Sequence, residues 1–124
     1  MNRLTCYLKQ TVKKSVRQSL YLKLKELQQK LTELNVMKAV KTKEHERLIE
    51  KYDSQQFQLT VIDSEDGSKR NFRANRYATL NELNKIDEEL REIEASLQMI
   101  EYMKEETQYE IMMITKLKGK EVST

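Results

Sequence analysis

Leu20, Leu24, Leu27, Leu31 and Leu34 recur at alternating steps of four and three. That spacing holds five leucines on one side of an α-helix, and a stripe of that kind needs a second helix to cover it. A matching stripe follows later in the chain: Leu83, Ile86, Leu90, Ile93, Leu97 and Ile100. Two heptad stripes in one sequence predict a mainly α protein built as a long antiparallel two-helix coiled coil. Composition supports this, because 35% charged against 38% hydrophobic residues leaves enough apolar surface for narrow stripes but not for a wide core. The 124 residues fit one elongated domain.

The limits of each helix are legible. The first runs over about residues 3–53 in three qualities. Before Leu20 the spacing is four throughout (Leu4, Leu8, Val12, Val16), a stripe that drifts by about 40° per step around the helix. After Leu34 the register meets Lys38, Lys41 and His45 before Leu48 and Tyr52. For the second helix, Thr79 with Glu82 has capping-box spacing, and Lys116, Lys118 and Gly119 suit a C-terminus. That places it at about 79–118, with a short tail at 119–124. Its register meets Lys104 and Thr107, then recovers at Ile111 and Ile114.

Between the helices the rhythm changes. Phe57, Leu59 and Val61 stand two apart, and Asp66-Gly67 is a strong type I′ turn signal. A β-hairpin over about 57–75 is expected. A turn centred on Asp66-Gly67 would set Leu59 opposite Ala74, Val61 opposite Phe72 and Asp63 opposite Arg70. A longer SEDGS loop and an unstructured connection are the alternatives. Since an isolated two-stranded hairpin is marginal and its edges are open, this element also argues for oligomers.

A reversal near residues 66–67 makes facing residue numbers sum to about 133. The strong Leu83–Ile100 stripe would then pack on the weak part of the first helix. The Leu20–Leu34 stripe would face residues 99–113, where Met99, Met103, Met112 and Met113 fill gaps without specifying one packing. The five leucines and four methionines are therefore the expected seam for a second copy or a protein partner. Leu83, Ile86, Leu90, Ile93, Leu97 and Ile100 are the expected intrachain seam. A shifted pairing within one chain is the alternative.

Chemistry is harder to find. His45 is the only histidine, HERLI lacks the second histidine of a zinc-protease motif, and Cys6 lies 39 residues from His45 on one helix. Two glycines exclude phosphate-cradling loops, and DSEDG does not fit a calcium loop. No enzyme activity, catalytic residue, metal or cofactor is expected. One cysteine and no apolar run of about 20 residues point to a reducing compartment, the cytoplasm or the nucleus.

Charge is unevenly distributed. Seven bases precede the first acid, Glu26, whereas residues 82–110 carry ten acids against three bases. Lys9, Lys13, Lys14 and Arg17 form one basic cluster, and Lys69, Arg70, Arg73 and Arg76 around Phe72 form another. Either suits an acidic protein or, as the alternative, nucleic acid. A membrane surface is disfavoured, because the N-terminal stripe drifts and lacks Trp and Phe.

The layout of long helix, central hairpin and returning helix resembles a β-type prefoldin subunit. That resemblance implies hairpins assembling into an oligomeric base, with helix tips gripping unfolded clients as a holdase chaperone. The residues themselves support a non-enzymatic, self-associating coiled-coil scaffold or adaptor that binds a protein partner. The alternative is a protein that binds nucleic acid or modulates an enzyme acting on it.

Overall fold

The computed structural model describes the backbone of residues 2–65, 67 and 70–122, and side chains over 13–65, 67 and 70–119. Two helices account for nearly all of it: α1 (Asn2–Asp63) and α2 (Phe72–Val122). They pack against each other as a helical hairpin. Among the described residues there is no strand. The expected β-hairpin over 57–75 is absent, and so is the layout that carried the likeness to prefoldin.

The reason lies in the phase of the stripe. Past Leu48, positions Tyr52, Gln55, Leu59 and Ile62 continue the four-three rhythm, and all four are half-buried. Phe57 and Val61 turn outward, at 70% and 42% exposed. Alternation and helix thus share only Leu59, and burial of the heptad positions decides for helix. The β-branched residues here cost a helix only tenths of a kcal/mol each, roughly, relative to its best formers. Extending an existing helix also avoids a second nucleation.

The end of α1 tightens. Ser64 N donates to the carbonyls of Thr60 (3.1 Å) and Val61 (3.2 Å), and Glu65 N donates to Ile62 O at 3.1 Å. The Ser64 hydroxyl donates to Val61 O at 2.7 Å, satisfying a carbonyl left over at the helix end. Gly67 has no positive φ, so the type I′ turn is not formed. Asp66, the other half of that turn signal, lies outside the described residues.

α2 starts seven residues earlier than the capping-box spacing predicts. Asn75 N donates to Asn71 O at 2.9 Å, which makes Asn71 the N-cap. Thr79 lies inside the helix, 7% exposed, and its hydroxyl donates to Asn75 O at 2.9 Å. A threonine that returns its proton to the carbonyl four residues back can be buried without an orphaned hydroxyl. Thr107 does the same to Met103 O at 2.7 Å and is 1% exposed.

By compactness the chain divides into two units, Met37–Ile100 and Met1–Val36 with Glu101–Thr124. In the unit Met37–Ile100, Leu48, Ile86 and Ile93 form a buried cluster, with Tyr52, Leu90 and Leu97 packed on it. Cross-helix pairs fix its register: His45 with Glu94 and Asp63 with Arg76, each pair summing to 139. Seam positions one step inside these sum to 138, which layers Leu48 with Leu90, Tyr52 with Ile86 and His45 with Ile93.

In the other unit Leu27 and Leu34 are 4% and 3% exposed. The Lys118 ammonium lies 5.2 Å from the Tyr21 ring centroid, and this pair also sums to 139. The layers here are Leu24 with Ile114, Leu27 with Ile111, Leu31 with Thr107, and Leu34 with Lys104. The connection 64–71 is centred one residue past Asp66-Gly67, which moves the sum from the expected 133 only to 135, and the ion pairs set the rest of the offset. In each layer named, at least one side is apolar, so a polar residue at a seam position never meets another polar one.

Candidate interaction surface

His45 Nε2 sits 3.3 Å from Glu94 Oε1, a half-exposed contact on the flank of the seam. No group of three or more metal-ligating side chains occurs among the described residues. The groove beside Leu48 and Ile93, about 450 Å³, is open and edged by Lys41, Glu44, Arg47 and Glu92. At its rim Lys41 Nζ lies 3.5 Å from Glu44 Oε2 along the same helix, an ordinary solvated surface pair. No helix of the described residues is long and apolar enough to cross a membrane.

The basic clusters are placed as follows. Lys13, Lys14 and Arg17 are exposed on α1, while the Lys9 side chain lies outside the described residues. At the loop, Arg70 and Arg73 are exposed, Lys69 lies outside the described residues, and Phe72 is half-buried beside Gly67. Arg76 Nε donates to Asp63 Oδ1 at 2.9 Å rather than facing solvent alone. Arg70, Phe72, Asn71 and Asn75 line a shallow open cavity with Glu65. One acid and one base share that lining, so the cavity is not a uniform anion surface.

The expected partner seam divides. Leu20, Leu24, Leu27, Leu31 and Leu34 are half-buried or buried against α2 of the same chain. Their layer partners are Lys104, Thr107, Ile111, Ile114 and Lys118, not the methionines. Leu83, Ile86, Ile93 and Ile100 are buried and Leu90 and Leu97 half-buried, again on the inner side. Of the hairpin residues, Leu59 is on the seam and Val61 on the outer face of α1.

The methionines lie elsewhere. Met99, Met112 and Met113 are 60%, 44% and 42% exposed, and Met103 is half-buried at the flank. Over residues 102–117 of α2, Met103, Met112 and Met113 share the surface with Tyr102 (57%), Tyr109 (60%) and Leu117 (49%). Tyr102, Tyr109 and Met113 fall on positions opposite the inner seam. The Tyr102 hydroxyl donates to Glu106 Oε1 at 3.1 Å, one turn on. That hydrogen bond, and then the carboxylate's charge, raise the Tyr102 phenol above its ordinary pKa of 10.0.

Tyr102 and Tyr109 are not among the seam residues read from the sequence. The signal that places them is available once the phase is fixed: with Leu97, Ile100, Thr107, Ile111 and Ile114 inside, residues 102, 109 and 113 must point away. The chain matches no family model, and no curated protein or solved structure is similar to it.

Proposed function

We propose that this chain is a non-enzymatic coiled-coil scaffold that self-associates and engages protein partners through its outer helix faces. One observation carries the reading: the inner seam is filled within the chain, while a second apolar stripe on α2 stays exposed. Clustered large apolar side chains open to water on one helix face, here Tyr102, Tyr109, Met112, Met113 and Leu117, mark interaction sites. Tyrosine and methionine are enriched at interfaces, where a rigid ring or an adaptable thioether suits an imperfectly fixed partner surface. Lys13 and Lys14, on a stretch of α1 without acids, would draw an acidic partner to the same unit and speed its encounter. The loop-end arginines weigh less in this reading, since Arg76 is engaged by Asp63 and Arg70 shares its cavity with Glu65.

The test is the mass of the purified chain in solution. Sedimentation equilibrium should give a dimer or larger species at micromolar concentration. Tyr102→Glu with Tyr109→Glu should reduce it to monomer with helicity intact. A wild-type chain that stays monomeric and captures no partner would refute the proposal.

A further inference from the structure

We infer that two copies of this chain pair antiparallel along the outer face of α2, with Tyr109 beside the two-fold axis. The inference rests on the self-association proposed above and names the surface and the partner. Its first basis is spacing. Residues 102, 106, 109, 113 and 116 (Tyr, Glu, Tyr, Met, Lys) step by four and three, a second coiled-coil seam on the side of α2 away from α1. Met103, Met112 and Leu117 flank it. From Tyr102 to Leu117 the stripe is about 22 Å long.

Its second basis is the order of charge along that stripe. Residues 101–110 carry Glu101, Glu105, Glu106 and Glu110 against Lys104 alone. Residues 111–118 carry Lys116 and Lys118 and no acid. A copy laid parallel would place carboxylates beside carboxylates along half its length. A copy laid antiparallel brings the acidic half of each helix against the lysine half of the other. The stripe is therefore complementary to itself only when reversed, which is the requirement for an isologous two-fold contact. Reversal about Tyr109 sets Tyr102 opposite Lys116 and Glu106 at the level of Met112 and Met113, with Met113 the nearer on the seam, and leaves the two Tyr109 rings adjacent. Tyr102 then has its ring beside a lysine ammonium, an arrangement the Tyr21–Lys118 pair already shows within the chain.

The experiment uses the full chain with Cys6→Ser, so that introduced cysteines report alone. Glu106→Cys and Met113→Cys sit at exposed positions of α2 and should leave the fold unchanged by circular dichroism. When the two variants are mixed and oxidised, a disulfide-linked heterodimer should form in severalfold excess over what either gives alone. In parallel, Glu105→Lys and Lys116→Glu should each weaken the dimer severalfold at low salt, and the two together should restore it. Efficient self-linking of Glu106→Cys, or charge variants without effect on a dimer that persists, overturns the antiparallel pairing while leaving self-association standing. A wild-type chain that is monomeric at high micromolar concentration overturns both.

Discussion

The Nε of Arg76 donates to Asp63 Oδ1 at 2.9 Å, tying the last residue of α1 to the second turn of α2. The contact spans the loop and, with His45–Glu94, sets the register of the unit Met37–Ile100. Its geometry matters more than its energy. Both side chains are 46% exposed, so solvent screens most of the attraction. A double-mutant cycle with Asp63→Asn and Arg76→Gln should return a coupling of about 0.5 kcal/mol, shrinking in high salt. A coupling of several kcal/mol would mean that the pair is shielded far more than its exposure indicates.

Leu27 and Leu31 are the sharpest test of where the leucine stripe lies. Sequence reading gives them to a partner, and charges placed there should then separate subunits and leave each one folded. In the structure Leu27 is 4% exposed and packs at the level of Ile111. Leu27→Ala should therefore cost about 2–3 kcal/mol in urea unfolding. Leu27→Asp with Leu31→Asp should abolish helicity in that unit rather than merely lower the mass. Met113→Ala, on the outer face, should change monomer stability by less than about 0.5 kcal/mol. Equal effects at Leu27 and Met113 would contradict the assignment of inner and outer faces.

Gly67 shows what was legible in the sequence and what was not. The reversal itself was legible, because two heptad stripes separated by a glycine-containing polar stretch leave little else for the chain to do. The inner residues of α2 from Leu83 to Ile100 were legible for the same reason. The loop was not. Asp-Gly marks a type I′ turn only if the flanking residues are strands, and Phe57, Leu59, Val61 alternate by chance while Tyr52, Gln55, Leu59 and Ile62 keep the helical phase. Gln55 hid that phase, since a polar residue at a seam position reads as a break. The expected sum of 133 follows from centring the reversal on Asp66-Gly67, whereas His45–Glu94 and Asp63–Arg76 set it at 139.

Because Gly67 lacks a positive φ, alanine fits its backbone. A Cβ there would lie 3.9 Å from Phe72 Cε1, ordinary contact distance. Gly67→Ala should thus stabilise the hairpin by about 0.5 kcal/mol, by narrowing the unfolded ensemble. In a type I′ turn the same change would be strained and destabilising. Thermal unfolding of the single variant distinguishes the two, and a lowered melting temperature would restore the turn that the structure lacks.

Tyr102 supplies a titration with a definite sign. Its phenol donates to Glu106 across one turn, and ionising the phenol would both lose that hydrogen bond and set phenolate beside carboxylate. Both effects favour the protonated ring and raise its pKa, the hydrogen bond more than the charge. The helical state therefore holds the proton more tightly than the unfolded chain does. The contribution is present in full below the ordinary phenol pKa and is lost as pH rises through the raised one. Glu106→Gln keeps an acceptor but removes the charge, so the midpoint should fall toward the ordinary value without returning to it. Glu106→Ala should return it most of the way, since only the small desolvation of the ring then remains. Tyrosine-ring carbon NMR, with Tyr102→Phe to assign the resonance, reads the midpoint directly, and identical midpoints in wild type and Glu106→Ala would show that the hydrogen bond is not held in solution.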